Sequence, residues 1–202
     1  MSIGVCYNYS MNKFVDILGD SLDNIKIFED FMDPDDLDKV VSFLRTINDS
    51  GITNKFLNVT DDYEVPTEID DLMIKYTDIV NDLGEKSFGY RLDGSDKLAM
   101  RIGTPGIYYM PHVDSPSTGE LHEEGMYDPN WRDSWAGELA ILIYLNDDYE
   151  GGELYFPERG LEIKPKANTL IMFPGNKNFV HGVRVIEKTD RLNLVKWSLF
   201  ID

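Results

Sequence analysis

Apolar positions recur at two different spacings along this chain, and the change from one to the other divides it. In the first half, Leu37, Val40, Val41, Leu44 and Ile47 follow an i, i+3, i+4, i+7 rhythm, and so does the set Ile69, Leu72, Met73, Tyr76, Val80 and Leu83. Each set predicts one amphipathic helix with an apolar stripe to bury. In "MDPDDLDKVVSFLRTINDSG", Asp33 is placed to cap and Pro34 suits the first turn. Asp35 and Asp36 favour the positive end of the helix dipole, and Gly51 is the stop. In "PTEIDDLMIKYTDIVNDLG", Thr67 and Asp70 have capping-box spacing, and Gly84 is the predicted end. Neither helix carries residues that resemble a site.

From about Lys97 the period shortens. "KLAMRI", "IYYMPHV", "ELAILIYLN", "GELYFP", "LEIKP", "TLIMFP", "VHGVRVI" and "RLNLVKWSLFI" read as short strands separated by turn residues. Roughly eight strands with no helix between them predict a sandwich or barrel, with the helical half packed on one of its sheets. "ELAILIYL" and "TLIMF" are apolar on both faces, as strands are when one face meets helices and the other lines a pocket. The pattern predicts an α+β chain of one domain, 1–202: a mainly helical support region, 1–96, and a strand-rich core, 97–202, carrying the site.

Composition narrows the functional classes. With 42% hydrophobic and 28% charged residues, the 202-residue chain has the make-up of a folded soluble protein. Its 37 acidic and 19 basic residues give a net charge of −18, which argues against nucleic acid as a partner, because a phosphate-gripping protein needs a basic face. That charge serves solubility, with a cationic substrate as the alternative. A single cysteine, Cys6, excludes an intrachain disulfide and fits a reducing compartment. The opening "MSIGVCYNYSMNKF" has no basic start followed by a long apolar run, and no run of about 18 apolar residues occurs anywhere, so no membrane segment is predicted. The expectation is a cytoplasmic protein, or one released into a host's cytoplasm.

Chemistry concentrates in "YYMPHVD". If the segment is extended, His112 and Asp114 share a face, since side chains alternate along a strand. The chain has three histidines, so a third ligand would be His122 or His181. His122 lies in a polar loop beside Glu123 and Glu124, as a solvated histidine does, whereas His181 opens the strand "VHGVRVI". Two histidines and a carboxylate on one side of a metal leave positions open, the arrangement of mononuclear non-haem Fe(II) oxygenases. Arg191 follows ten residues after His181, sharing a strand face with Asn193, Val195 and Trp197. An inward guanidinium costs several kcal/mol unless an anion meets it, as a bidentate carboxylate does; an internal acid or a surface position is the plainer reading.

The ordered series "YYMPHVD", "IYLNDDYEGGELYFP", "IKPKANTLIMFPG" and "VHGVRVIEKTDRLNLVKW" resembles the 2-oxoglutarate- and Fe(II)-dependent dioxygenases, in their prolyl 4-hydroxylase-like branch, over about residues 98–202. The resemblance implies a double-stranded β-helix (jelly-roll) core with N-terminal supporting helices. It also implies Fe(II) held by His112, Asp114 and His181, 2-oxoglutarate as cosubstrate, O2, and ascorbate as a candidate accessory. By the same resemblance Arg191 and Tyr144 bind the cosubstrate, and Tyr109 and Trp197 line the substrate side. Asp114 points to hydroxylation, because related halogenating enzymes have a small residue there. The implied activity is oxidation of a substrate C–H, first of all a prolyl residue in a peptide or protein. Alternatives are a free amino acid or other small molecule, or a barrel that holds Zn(II) or a ligand without turnover. The long loop from Ser115 to Ala136, with Trp131 and Trp135, is either a lid or a solvent-facing segment. Two departures stand out: Gly103 and Ile102 occupy the positions where relatives carry a further cosubstrate-contacting tyrosine, and a substrate-binding arginine of some relatives has no clear counterpart, Arg132 lying nearby in uncertain register.

Overall fold

A computed structural model describes residues 20–48, 51–93, 96–114 and 138–201. Cys6, His122, Trp131, Arg132, Trp135 and the loop 115–136 lie outside the described residues.

The chain begins with a short strand, β1 (Lys26–Phe28), and helix α1 (Pro34–Ile47). Asp33 is the N-cap of α1, its side chain accepting from the Asp35 amide, with Pro34 in the first turn. Strand β2 (Phe56–Asn58) and the one-turn helix α2 (Val59–Asp62) lead to the long helix α3 (Thr67–Phe88). Tyr76 of α3 ties the two main helices together: its hydroxyl accepts from the Asp33 amide (3.0 Å) and donates to Asp36 (3.0 Å).

The remaining strands are β3 (Arg91–Leu92), β4 (Ala99–Gly103), β5 (Tyr109–His112), β6 (Glu138–Tyr144), β7 (Glu150–Gly151), β8 (Leu154–Phe156), β9 (Leu161–Ile163), β10 (Thr169–Pro174), β11 (His181–Val183), β12 (Ile186–Glu187) and β13 (Arg191–Ile201). The major sheet runs β1-β10-β6-β13-β4-β2, with β3 on the far end of β13. The minor sheet runs β5-β11-β8-β9, and β7 and β12 form a short ladder; the pairings are antiparallel throughout. Two facing antiparallel sheets with helices on the outside of one make a double-stranded β-helix of α+β class.

Period-two alternation explains why the major sheet is apolar on both faces. On β10, Leu170 and Met172 meet the helices, in one core with Val40, Leu44, Met73 and Val80, whereas Ile171 and Phe173 point between the sheets and pack with Leu154, Phe156 and Phe179. The helices therefore brace the outer face and leave the inner one for the site. Among the described residues no helix is long and apolar enough to cross a membrane.

Three features depart from the sequence pattern. Helix α3 does not stop at Gly84 but runs four residues further, to the left-handed Gly89 (φ +76°). Gly84 serves packing: a Cβ there would lie 2.8 Å from Leu92 and 3.2 Å from Leu139, so its bareness lets the helix approach the sheet. The Thr67–Asp70 capping box does not form, because Pro66 is the cap residue and its carbonyl receives the Ile69 and Asp70 amides. The helical first half also supplies both edge strands of the major sheet, β1 and β2.

Candidate functional site

Strands β5 and β11 place His112 directly opposite His181. Their rings lie 4.5 Å apart, and Asp114, two residues beyond β5, reaches both: Oδ1 is 3.5 Å from Nε2 of His112, and Oδ2 is 3.3 Å from Nε2 of His181. One donor atom from each of the three falls within 4.8 Å of the others, a group that could hold a metal ion. The Nδ1–H of His112 donates to the Met110 carbonyl (2.8 Å) and that of His181 to the Phe179 carbonyl (3.0 Å). A carbonyl only accepts, so each Nδ1 carries the proton and each Nε2 presents a lone pair to the shared centre, as a metal-binding imidazole must.

Electrostatics and burial agree. Burial pushes the Asp114 carboxyl up, but the charges and hydrogen bonds of His181 and His112 outweigh it and hold the group well below the usual carboxylate range. For His112, burial pushes down, and the hydrogen bond and charge of Asp114 prevail to raise it. The His181 side chain is 5% exposed and that of Asp114 9%, against 31% for His112, so the open side of the cluster is at His112. With two neutral nitrogens, one ionised oxygen and one open side, the donor set suits Fe(II) with positions left for other ligands.

Arg191 opens β13 and is 3% exposed. Its Nη1 donates to the Gly152 carbonyl (3.3 Å), its Nε has no hydrogen-bond partner among the described residues, and its guanidinium lies 5.7 Å from the ring of buried Tyr144. Burial raises the Tyr144 hydroxyl, the charge of Arg191 lowers it and that of Asp114 raises it. Gly151 and Gly152 both have left-handed backbones (φ +63° and +66°) and turn the chain beside Arg191; a Cβ on Gly151 would come within 1.9 Å of the Val185 carbonyl. Asn146 sets the start of β13, accepting from the Leu192 amide (2.7 Å) and donating to the Asp190 carbonyl (2.8 Å).

Tyr109 and Trp197 stand on the same side of the enclosure. Tyr109 packs edge-on against Phe56 (5.7 Å) and at 6.0 Å from His112. Between Trp197 and Phe56 lies Arg101, with its guanidinium 4.6 Å from the first ring and 5.2 Å from the second. Arg101, Phe56, Asn58 and Asn146 were not singled out in the sequence pattern. Arg101 sits on the face of "KLAMRI" opposite Met100 and Ile102, but only the strand register shows that this face looks into the enclosure. Gly103, at the missing-tyrosine position, pairs with Arg191, and a Cβ there would lie 2.6 Å from Ile186 Cδ1 and 3.9 Å from Arg191 Nε.

Comparison with known proteins converges on these elements. The model of the 2OG-Fe(II) oxygenase superfamily matches residues 98–199. Human prolyl 3-hydroxylase 2 is 31% identical over 84 residues, 36% of this chain and 12% of that protein. Human prolyl 3-hydroxylase 3 is 27% identical over 114 residues, 52% of this chain and 14% of that protein, so the chain spans only a small part of these curated relatives. In fold it is similar to a viral collagen prolyl hydroxylase from Paramecium Bursaria Chlorella virus-1 (TM-score 0.58, 19% identity, 89% of this chain and 97% of that one). It is also similar to a Trichoplax adhaerens prolyl hydroxylase solved with a hypoxia inducible factor peptide (TM-score 0.61, 17% identity, 89% and 84%). A matched region that takes in every residue of the His–Asp–His group and Arg191 places the chain in the 2OG-Fe(II) oxygenase superfamily.

Proposed function

We propose that this chain hydroxylates a prolyl residue of a peptide or protein, with 2-oxoglutarate as cosubstrate and Fe(II) held by His112, Asp114 and His181. The observation that carries the reading is Arg191: a guanidinium buried against Tyr144 with, among the described residues, a single carbonyl as its hydrogen-bond partner. A buried charge left in that state is costly, and a ligand carboxylate removes the cost. The distal carboxylate of 2-oxoglutarate answers that requirement while the other end of the molecule faces the metal ligands.

Bound Fe(II) would supply the open-sided centre where keto acid and dioxygen meet, the net reaction turning substrate C–H, 2-oxoglutarate and O2 into C–OH, succinate and CO2. The residues do the rest. Their Nδ1 hydrogen bonds fix both imidazoles in the ligating tautomer, Arg191 and Tyr144 orient the cosubstrate, and Tyr109 and Trp197 wall the substrate side and exclude water. Prolyl hydroxylases among both the curated relatives and the fold neighbours support the choice of a prolyl target.

Incubation with Fe(II), ascorbate, 2-oxoglutarate and a proline-rich peptide tests the proposal. The expected result is stoichiometric succinate and a peptide heavier by one oxygen at proline. Succinate formed only with free amino acids or other small molecules would move the substrate elsewhere, and no succinate with any of them would end the oxygenase reading.

A further inference from the structure

One row of the major sheet is polar across five neighbouring strands. Thr169, Tyr144, Asn193, Arg101 and Asn58 are in register on β10, β6, β13, β4 and β2. Period-two alternation puts all five on the inner face, because the residues on either side of them, Leu170, Ile143, Leu194, Met100, Ile102 and Leu57, belong to the helix-side core. Among the described residues, four of the five hold a buried polar atom without a hydrogen-bond partner: Thr169 Oγ1, Asn193 Oδ1, Arg101 Nε and Asn58 Oδ1. Native interiors rarely leave such atoms unmet, and a run of them facing one cleft marks the footprint of a ligand.

Arg101 is the charged member of that row. The rings of Trp197 and Phe56 hold its guanidinium in place by cation–π contact, while its Nε finds no acceptor. Burial disfavours its charge; the carboxylates of Asp114 and Asp61 favour it, without a hydrogen bond to either among the described residues. Asp61 is hydrogen-bonded to Asn58 instead, and Asp114 belongs to the metal group, whose cation would cancel its pull on Arg101. A guanidinium held between aromatic rings with its fork unused is built to receive a carboxylate. Arg191 already answers to the cosubstrate, at the Gly103 level of the same strands, so a second anion is called for one level away, on the side of Tyr109 and Trp197.

We propose that Arg101 is a specificity-determining residue that binds a carboxylate on the substrate, so that the preferred target is a prolyl peptide with an acidic residue beside the proline. This rests on the reading of the His–Asp–His group and Arg191 as an oxygenase site. It also gives the strongly acidic chain a local exception: two inward arginines draw an anionic ligand into a cleft that the net charge of −18 would otherwise disfavour.

The test uses the full chain loaded with Zn(II) in place of iron and saturated with 2-oxoglutarate. Probes are N-acetylated, C-amidated tetrapeptides with glutamate just before or just after proline, their glutamine counterparts, and versions with alanine for proline. Binding is followed by calorimetry and by the arginine Nε–Hε NMR resonances, that of Arg101 being identified by its loss in Arg101→Lys. One glutamate peptide should bind about tenfold or more tighter than its glutamine twin, the size of one charge-assisted hydrogen bond, and should shift the Arg101 resonance. Arg101→Met should bring the pair within about twofold and leave 2-oxoglutarate affinity as in the wild type. Equal affinity for every glutamate and glutamine pair, or no binding by any of them, overturns the proposal. So does a shift of the Arg101 resonance on 2-oxoglutarate alone with weakened cosubstrate binding in Arg101→Met, which would assign Arg101 to the cosubstrate. Glutamate selectivity through Arg101 that persists without proline and without turnover of any prolyl peptide keeps this inference and removes the prolyl target.

Discussion

His112 and His181 face each other across the β5–β11 pair with their rings 4.5 Å apart, and each gives its Nδ1 proton to the carbonyl two residues earlier in its own chain segment. The two imidazoles are thus oriented by the same local device on antiparallel strands. Both Nε2 atoms turn toward Asp114, and the backbone carbonyls that hold the two rings fix this orientation, as the outer partners of metal-binding imidazoles do.

Removing one imidazole should therefore abolish the centre rather than weaken it slightly. His181→Ala is expected to lower affinity for Fe(II), or for Co(II) as a spectroscopic substitute, by about 100-fold or more, since loss of an outer-shell partner alone costs about 10–100-fold. Metal titration of the two proteins checks this. Equal metal content in the variant would mean that the three side chains do not share an ion.

Arg191 should reveal itself through cosubstrate and stability in opposite directions. Breaking a buried charge–carboxylate contact costs about 2–5 kcal/mol, so Arg191→Met is expected to raise the 2-oxoglutarate concentration required by roughly 100-fold with metal affinity unchanged. Free of ligand, the same variant should melt no lower than the wild type, because a buried charge with no carboxylate beside it among the described residues and one long hydrogen bond, to the Gly152 carbonyl, has been replaced by an apolar chain of similar length. Saturating 2-oxoglutarate should then stabilise the wild type by about 2.7 kcal/mol at 100 times its Kd and leave the variant almost unmoved. A variant protected as well as the wild type would detach Arg191 from the cosubstrate.

Acid should loosen the helical brace at Asp36. Its hydrogen bond to Lys75 (2.6 Å) lowers the carboxyl; burial works against this, and the Tyr76 hydroxyl and the lysine charge add to it. A folded-state value below the unfolded one contributes stability in full above the unfolded pKa of about 4, and that contribution is lost as pH falls through the folded value. Asp36→Asn should therefore cost about 1 kcal/mol at pH 7, and the gap between the two urea midpoints should narrow as pH falls below the unfolded value of about 4. A gap that stays constant from pH 7 to pH 2.5 would locate the effect in packing.

How much of this could be read in advance depends on the range of the interaction concerned. The strands from Ala99 to Ile201 and the two main helices were legible because alternation and the 3.6-residue stripe are local, and they survive in any fold that buries them. The residue types of the metal group were legible for a related reason: three histidines leave few choices, and His112 and Asp114 lie two apart on one extended segment. What needed coordinates was register. Arg101 and Asn58 join the cleft only because β4 pairs with β13 at Asn193 and β2 pairs with β4 at Arg101, and nothing in "KLAMRI" or "FLN" fixes that alignment. The edge strands β1 and β2 are three residues each, too short for a period to show. Gly84 differs for another reason: glycine marks helix ends by backbone freedom but also marks close packing by lack of a side chain, and only the positions of Leu92 and Leu139 tell the two apart.

Gly182 allows a test of the site's geometry that touches no ligand. Between His181 and Val183 on β11, the facing strand advances three residues, from His112 to Tyr109, and Pro111, which lacks an amide for the ladder, lies inside that bulge. The bulge draws the β5 backbone toward Gly182, where a Cβ would stand 2.7 Å from the Tyr109 carbonyl and 2.7 Å from the Tyr155 hydroxyl. Tyr155 can swing aside, but the carbonyl is backbone and moves only with its strand. Gly182→Ala should push β5 away from β11 and widen the His112–His181 separation, costing about 1–3 kcal/mol of stability as over-packing does. Metal affinity should fall by about tenfold, in the range seen when the supports of a ligand are disturbed. Gly160→Ala is the control: that glycine also needs a left-handed backbone (φ +59°), but a Cβ there meets nothing within 4 Å. Its substitution should lower stability by about 1 kcal/mol and leave metal affinity alone. Equal metal affinities in the two variants would show that the β5–β11 spacing does not set the site.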